Sequence, residues 1–172
     1  MELVSPSREY EDVFLEFLDD IKRFDAPNAE FYEPACSSFP KYVKSLIDES
    51  RGVNLPKGYV PCHHYWFLNE QGKIVGVLRI RHHINTPFLS HEGGHIGYDV
   101  APSYREQGYG TQMLKHGLSK AKTLGLEQVL ITADDDNIAS RKVIEANGGV
   151  LEQVVMGRFF PCLVAKYWVK CH

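Results

Sequence analysis

HIGYDVAPSYREQGYGT, residues 95–111, carries more structural information than any other part of this 172-residue chain. An apolar strand runs into a turn of the form Arg-x-x-Gly-x-Gly, and a helix starts from that turn. The first turn of a helix presents N–H groups without an intrahelical partner at the positive end of the helix dipole. Gly108 and Gly110 lack a Cβ, so the oxygens of an anion can approach the main chain. Arg105 adds a positive charge and Thr111 a hydroxyl, and the segment therefore predicts an anion site suited to a pyrophosphate.

Two other phosphate motifs do not match this turn. A Walker P-loop ends in Gly-Lys-Ser/Thr, and no lysine stands between Gly110 and Thr111. A dinucleotide fingerprint needs G-x-G-x-x-G, and the pattern here stops after its second glycine, since Met113 stands where the third is required. A glycine-rich turn that serves only to start a helix is the alternative interpretation.

The composition restricts the class of protein. The net charge is -3 and hydrophobic residues make up 44% of the chain, a balance typical of one soluble globular domain. A general nucleic-acid binder needs a dense basic footprint, which this charge does not supply, and no apolar run approaches the ~20 residues of a membrane helix. The four cysteines are widely spaced and no signal peptide precedes them, so we expect reduced thiols in a cytoplasmic protein.

Hydrophobic periodicity outside this segment predicts a chain in which helices and strands mix. The predicted helices span residues 7–24, 38–51, 108–125 and 137–146. The predicted strands span residues 2–4, 65–68, 74–80, 94–100, 129–132, 150–155 and 163–169. Prolines and the absence of a period predict loops at 25–37 and 53–63. The expected fold class is therefore α/β (α+β), with a single mixed sheet.

The central segment resembles a known family. Val100-Ala101-Pro102 followed by Arg105-x-x-Gly108-x-Gly110 is similar to the acetyl-coenzyme A (acetyl-CoA) signature of the GNAT family of N-acetyltransferases. The following strand leads to a helix that opens with Asn137 and closes with Gly148, which is the family's spacing. The resemblance is closer to bacterial members with uncharacterised substrates than to histone or ribosomal enzymes.

This resemblance covers nearly the whole chain, although its specific motifs lie between residues 94 and 149. It implies one N-acetyltransferase domain over residues 1–172, with a splayed and mostly antiparallel sheet flanked by helices. It also implies transfer of an acetyl group from acetyl-CoA to a primary amine of a small molecule or peptide, by direct attack and without a metal. A homodimer is a further possibility, and neither nucleic acid nor a membrane is an expected partner.

The family pattern implies a role for each part of the coenzyme site. The pantetheine arm would pair with main-chain groups of Tyr98 and Val100, in the gap between the two splayed strands. The pyrophosphate would lie on the amides of the turn, which are those of Gln107, Gly108, Tyr109, Gly110 and Thr111. Asn137 and Ser140 would hydrogen-bond the pantetheine or the sulfur end. Asn137 also fits a purely structural role as a helix N-cap.

Acetyl transfer to an amine requires the free base. At pH 7 an amine with a lysine-like pKa is neutral in about one molecule in 2,500, which corresponds to roughly 4.6 kcal/mol. A general base offsets this cost, and the candidates are His95, Glu92 and Asp99. His95 has a suitable unperturbed pKa, but a hydrogen-bonded structural histidine is the more usual use of such a residue.

The family comparison also shows a departure. Many members protonate the leaving thiolate with a tyrosine seven residues after the asparagine, and here that position is Ile144. Isoleucine cannot donate a proton, so the general acid is unassigned. The oxyanion donor implied by the family is the Val100 amide.

Other functions are open at this stage. The chain could bind acetyl-CoA as a sensor without turnover, or use another acyl-CoA. A zinc site is a remote alternative, based on His82, His83, His91 and His95 with Cys62, His63 and His64 upstream. The run Asp134-Asp135-Asp136 could attract a cationic acceptor, but a solvated loop before a helix is the more usual use of such a run.

The glycine turn gives the first prediction. Replacing Gly108 or Gly110 with valine should abolish coenzyme binding and leave the fold intact, because a side chain would block the approach to the amides. Isothermal titration calorimetry with acetyl-CoA measures the binding, and circular dichroism checks the fold. Binding that survives either change would refute the phosphate-cradle hypothesis.

Overall fold

The computed structural model describes all of residues 1–172 and contains seven strands and six α-helices. The strands are β1 (Glu2–Val4), β2 (Cys62–Leu68), β3 (Ile74–Arg81), β4 (Ile96–Val100), β5 (Gln128–Asp134), β6 (Val150–Met156) and β7 (Leu163–Lys170). The helices are α1 (Glu11–Phe24), α2 (Ala26–Ala29), α3 (Pro34–Ser37), α4 (Phe39–Ser50), α5 (Tyr109–Thr123) and α6 (Ile138–Ala146). None of these helices has the length and apolar character required to cross a bilayer.

The seven strands form one sheet in the order β1-β2-β3-β4-β5-β7-β6. Every neighbouring pair is antiparallel except β4 and β5, which are parallel. These two strands pair at a single position, Ile96 with Ile131, whereas β5 pairs with β7 at seven positions from Gln128 to Asp134. The sheet therefore splays open beyond Ile96, and the predicted class, a mixed and mostly antiparallel sheet flanked by helices, is confirmed.

Each face of the sheet is covered by its own hydrophobic core. On one face α5 packs with Met113, Leu114 and Leu118, all completely buried. On the other face α1 and α4 form an aromatic cluster centred on Phe14, whose ring lies within 6.1 Å of five other aromatic rings. Burial of a large aromatic side chain contributes several kcal/mol, so this second core fixes α1 and α4 against β2.

The predicted loop over residues 25–37 was wrong, because this segment folds into α2, a 3-10 turn and α3. Its two prolines lie in the first turns of those helices, where proline lacks only an N–H that has no intrahelical partner. The segment also buries Ala29, Tyr32 and Ala35 against the aromatic core. Prolines that indicate a loop from sequence therefore mark helix starts in this chain.

Two strand limits also differ from the prediction. β2 begins at Cys62 rather than Tyr65. His63 and His64 have polar side chains, but their main chains still pair in the ladder with β3. β4 begins at Ile96 rather than Gly94. Residues 89–93 form a turn of π-helix, and Gly94 has a φ of 61° and an ideal Cβ only 2.6 Å from the Leu130 carbonyl oxygen, so this glycine ends the turn.

The packing of α5 on β3 gives a stability prediction. A Cβ at Gly117 would lie 2.6 Å from Leu78 Cδ1, and Leu78 is fully buried. Gly117→Val should therefore lower the free energy of unfolding by about 1–3 kcal/mol through overpacking. Urea denaturation measures this change.

Lys115→Val is the matched control, because Lys115 is exposed on the same helix. It should cost less than about 0.7 kcal/mol, which is the span of ordinary helix propensities. Equal costs at the two positions would contradict the close contact between α5 and β3.

Candidate active site

The main chain of β4 has one free edge where the sheet splays. Ala101 N donates to Val75 O at 2.9 Å and Arg81 N donates to His95 O at 2.8 Å. Antiparallel pairing alternates, so the odd-numbered residues of β4 bond to β3, and the N–H and C=O groups of Tyr98 and Val100 point the other way. Beyond Ile96 no residue of β5 pairs with them. The gap is therefore lined by the polar main-chain edge that the sequence predicted for the pantetheine arm.

The turn before α5 is a second set of unpaired main-chain groups. The first helical hydrogen bond is from Gln112 N to Gly108 O at 3.1 Å, and the amides from Gln107 to Thr111 have no acceptor within the chain. Gly108 has a φ of 83° and Glu106 a φ of 60°, a left-handed backbone that turns the chain sharply into the helix. Five free N–H groups at a helix N-terminus are what an anion site requires.

The elements β4, α5 and α6, which surround the gap, come together at Gly110. An ideal Cβ on Gly110 would lie 3.2 Å from Val143 Cγ2 of α6 and 3.5 Å from Val100 Cγ2 of β4. Gly108 has nothing within 4 Å of an ideal Cβ. Gly108→Val therefore tests the cradle by strain and by blocking access alone, whereas Gly110→Val also pushes α5 away from α6.

The side chains of Tyr109 and Gln107 and the main-chain carbonyl of Thr111 are used within the chain. Tyr109 packs edge-to-face on Tyr104, with ring centroids 5.8 Å apart. Gln107 Nε2 donates to Ser103 O at 2.9 Å. Thr111 O accepts from Asn147 Nδ2 at 3.2 Å, which ties the start of α5 to the end of α6.

Arg105 lies away from the free amides, in contrast to its expected role at the phosphates. Its Nε donates to Val100 O at 3.0 Å, and its Nη2 is paired with the Asp25 carboxylate. Asp25 is the residue that ends α1. The guanidinium therefore joins β4 to α1, and it also occupies one of the two polar groups that Val100 presents to the gap.

The start of α6 forms the opposite wall of the gap. Asn137 Oδ1 accepts from Ser140 N at 3.0 Å, so Asn137 is the N-cap of α6. The Ser140 hydroxyl is 2.8 Å from the Tyr98 hydroxyl, which also donates to Ser140 O at 3.3 Å. Burial raises the pKa of Tyr98 to about 12, against the opposing effect of the Ser140 hydrogen bond. Ile144 is completely buried in the core beneath.

His95 lies at the point where the sheet splays. Its main-chain N donates to Leu130 O at 2.7 Å, and its Nδ1 accepts from Leu130 N at 2.9 Å. The ring therefore takes the place of a strand residue in the ladder, and it does not share the face of Gly97 and Asp99 as regular strand alternation would require. Burial, together with the nearby Arg81 cation, lowers the pKa of His95 to about 4. A neutral imidazole whose Nδ1 lone pair is already engaged is a structural group in this geometry.

Glu92 closes the loop between β6 and β7. Its carboxylate accepts from the main-chain N–H groups of Arg158, Phe159 and Phe160, the last two at 2.7 and 3.1 Å. Burial raises the pKa of Glu92, but these donors outweigh it and the net direction is downward. The three N–H bonds make Glu92 an anchor for residues 158–160.

Asp99 is part of a charged cluster on the face of α1 and α4. Its Oδ2 accepts from Tyr32 Oη at 2.5 Å and from Arg79 Nη2 at 2.8 Å, while its Oδ1 has no partner in the chain. The side chain is 18% exposed. The Arg79 guanidinium lies over Gly97, where an ideal Cβ would be 3.4 Å from Nε, and that Nε is buried without a partner. Among the three expected bases, Asp99 alone has a carboxylate oxygen that is free.

Sequence reasoning did not identify Tyr32 and Arg79 as members of this cluster. Tyr32 fell in the segment interpreted as a loop. Arg79 carried a usable signal, because a charged residue inside the apolar run Ile74–Ile80 requires a buried partner.

The residues of the remote zinc alternative do not form one cluster, because His63 lies beside His82, Cys62 lies beside His64, and His91 and His95 are bonded elsewhere. His91 Nε2 lies 3.0 Å from Met156 O, and His95 is bonded to Leu130. The Asp134–Asp136 run is partly used within the chain, since Asp135 forms a 2.6 Å ion pair with Arg141.

Comparisons with known proteins identify the family of the chain. The sequence matches the profile of the acetyltransferase (GNAT) family over residues 23–148. No curated protein matches the sequence.

Solved structures with the same fold include acetyltransferases named for different roles. RimL, a ribosomal L7/L12 alpha-N-protein acetyltransferase solved in complex with coenzyme A, has 20% identity and a TM-score of 0.67 over 98% of this chain and 92% of its own. The microcin C7 self-immunity acetyltransferase MccE, solved with acetyl-CoA and AMP, has 16% identity and a TM-score of 0.66 over 98% and 91%. A chimera of the spermidine N-acetyltransferase SpeG from Vibrio cholerae with hSSAT has 15% identity and a TM-score of 0.60 over 99% and 96%.

The fold and the two sets of free main-chain groups define an acyl-CoA-dependent transferase. The chain belongs to the acetyltransferase (GNAT) family, as the sequence resemblance predicted, and it is an N-acetyltransferase. Identities of 15–20% extend the likeness to the fold and leave the acceptor open.

The position of His95 predicts a pH dependence of stability. The unfolded chain binds a proton on this ring below about pH 6.5, whereas the folded chain resists protonation down to about pH 4. The stability contributed by the neutral ring is therefore complete above about pH 6.5 and is lost as the pH falls toward 4, by about 3 kcal/mol in total.

His95→Asn should remove this dependence, because an amide oxygen can still accept from Leu130 N but does not titrate. Urea denaturation across this range should show the difference in stability between wild type and variant shrinking toward low pH. His116→Asn, at an exposed histidine, is the control and should show no such trend. A constant difference for His95→Asn would mean that the ring is not held neutral.

Proposed function

We propose that this enzyme transfers the acetyl group of acetyl-CoA to a primary amine of a small molecule or peptide by direct attack. The observation that carries the proposal is the set of five free amides from Gln107 to Thr111, next to the unpaired edge of β4. Together they offer hydrogen-bond donors for a pyrophosphate and a main-chain edge for an extended amide-bearing arm. No side-chain cation is needed, since the amides and the helix dipole supply the positive potential.

On the coenzyme side, the amides of Gln107, Gly108, Tyr109, Gly110 and Thr111 hold the phosphates in this proposal. The Tyr98 N–H and C=O bind the pantetheine arm, the Val100 N–H faces the acetyl carbonyl, and Val100 O stays with Arg105. Arg105 acts by fixing the turn against Asp25 rather than by direct charge pairing. Asn137 acts as the N-cap of α6, since its Oδ1 accepts from Ser140 N and so positions Ser140 at the gap.

We assign the acceptor side to the face that carries Asp99. The free Oδ1 of Asp99 attracts the ammonium form of the acceptor and accepts its proton, directly or through water, before attack. Arg79 and Tyr32 hold the other oxygen and so fix the orientation of the carboxylate. His95 and Glu92 support this site structurally, because their lone pairs are already bonded to main-chain N–H groups.

The negative charge that develops during transfer needs two donors. The Val100 amide points into the gap and serves the carbonyl oxygen as it becomes an oxyanion. The hydroxyl pair of Tyr98 and Ser140 crosses the gap and takes the place of the tyrosine that Ile144 replaces. A hydroxyl with a raised pKa stabilises a departing thiolate by hydrogen bonding more readily than by complete proton transfer.

The acceptor is proposed only as a class. The structural relatives are named for a ribosomal-protein N-terminus, for microcin immunity and for spermidine. A primary amine is the acceptor group that the carboxylate of Asp99 suits best. Another acyl-CoA as donor and a sensor without turnover are the competing outcomes of the assay below.

Further expectations from the sequence stand as proposals. The family match to residues 23–148 and the sheet running from Glu2 to Lys170 support one domain over residues 1–172. Four free cysteines support a reducing, cytoplasmic location. Exposed apolar residues on edge strand β6, among them Val150 and Met156, support a homodimer. The absence of nucleic-acid and membrane partners remains a prediction from composition.

An assay of thiol release tests the reaction. With acetyl-CoA and a panel of polyamines, amino acids and peptides, we expect release of free coenzyme A with at least one class of amine. A sensor would bind acetyl-CoA in calorimetry and release no thiol with any amine. If thiol release were faster from succinyl- or propionyl-CoA than from acetyl-CoA, the transferred group would be that acyl group and not acetyl.

Replacing the proposed base gives a sharper test. Asp99→Asn should lower kcat by about 10²-fold or more, because the amide cannot accept the proton, and should leave the Kd for acetyl-CoA unchanged. Asp136→Asn is the matched control at an exposed carboxylate and should leave kcat unchanged. If Asp136→Asn lowered turnover and Asp99→Asn did not, the acceptor would be recognised by the acidic loop before α6 instead.

A further inference from the structure

Three side chains capable of binding a metal converge away from the acetyl-transfer site. Cys62 and His64 alternate along β2 and so share one face of the sheet. α4 packs on that face and brings Glu49 from its last turn. The ligand atoms of the three residues all lie within 4.8 Å of one another, and His64 Nε2 is 2.8 Å from Glu49 Oε2. None of the three takes part in the proposed transfer.

We propose that Glu49, Cys62 and His64 form a zinc-binding site. A thiolate, an imidazole nitrogen and a carboxylate are the three ligand types that Zn²⁺ takes in proteins, and three protein ligands leave a fourth position open. The Cys62 thiol is 3% exposed and has one weak contact, at 3.7 Å to the carbonyl oxygen of His63. A buried sulfur without a strong partner, beside a carboxylate and an imidazole that already face each other, requires only small side-chain shifts to bind a metal.

The charges around the cluster favour zinc over a hard cation. Arg79 and Arg81 pair across the ladder with His64 and Cys62, so both cations lie on the same face. Their positive charges oppose a cation bound by charge alone, such as Mg²⁺ or Ca²⁺. Both arginines are held in place, since Arg79 is bonded to Asp99 and Arg81 to the Gly93 and Gly94 carbonyls.

Zn²⁺ differs because it displaces the thiol proton, and the resulting thiolate and carboxylate together cancel the charge of the ion. The neighbouring arginines then stabilise the thiolate. The site is therefore selective for a metal that binds sulfur.

A pair of imidazoles near the proposed site could also bind a metal ion. His63 points to the opposite face of β2, where its Nδ1 lies 2.7 Å from Nε2 of His82. This pair offers two nitrogens and no sulfur. It resembles an adventitious surface site and must be distinguished from the proposed one.

Spectroscopy of the cobalt-substituted protein tests the proposal. Co²⁺ added to the full chain should bind with one ion per chain and produce a thiolate-to-cobalt charge-transfer band in the near ultraviolet, and Zn²⁺ should displace it. Cys62→Ser should abolish the band. Glu49→Gln and His64→Gln should weaken cobalt binding by at least about tenfold, which is the lower end of what even supporting residues of metal sites contribute.

Two matched variants serve as controls. Cys36→Ser removes an exposed cysteine and His63→Gln removes the neighbouring imidazole, and both should keep the band. Calorimetry with acetyl-CoA on every variant reports whether the fold is intact, since the coenzyme site lies on other strands. If Cys62→Ser is misfolded, the half-buried Glu49 still gives a test through Glu49→Gln.

Three results would overturn the proposal. Wild-type protein could bind no stoichiometric Co²⁺ or Zn²⁺. The charge-transfer band could persist in Cys62→Ser. Binding could be lost in His63→Gln but kept in His64→Gln, which would place the metal on the His63–His82 pair. The proposal also departs from the expectation of a metal-free protein drawn from the sequence, in which Glu49 was not considered.

Discussion

A single parallel pairing, between Ile96 and Ile131, is the constraint on which the rest of the structure depends. His95 reinforces it, because this residue bonds both the N–H and the C=O of Leu130. Beyond this point β5 follows β7 and β4 follows β3, so two polar edges separate. In an ordinary sheet such unpaired groups would be a liability. In this protein they are the surface on which an extended, amide-bearing ligand can complete the sheet.

Main-chain groups also account for the charge of the ligand. The chain carries a net charge of -3 and its Arg105 is already paired with Asp25, yet five free amides meet at the start of α5. Amides at a helix N-terminus supply a local positive potential without a basic surface. An acidic protein can therefore hold a highly anionic coenzyme, and net charge gives little information about the donor.

The coenzyme side was predictable from sequence because it is local in sequence. Gly108, Gly110 and the strand before them form one continuous segment, and Asn137 begins α6 as its spacing indicated. The proposed acceptor side was predictable only at Asp99, because it assembles Tyr32, Arg79 and Asp99 from three separate elements. His95 shows a third situation. Its position in the chain was clear, but the irregular backbone after Gly94 turned its ring into the junction of β4 and β5.

This difference explains how one fold serves different acceptors. In the proposed mechanism the donor is held by main-chain groups, whose geometry survives substitution, and structures at 15–20% identity share the fold. In the proposed mechanism the acceptor meets side chains on the face of the sheet that α1 and α4 cover. Specificity then depends on the residues around the free oxygen of Asp99. Arg79 is the most informative of these, because a partly buried cation that donates one hydrogen bond to Asp99 both orients that carboxylate and limits which acceptor charges can approach it.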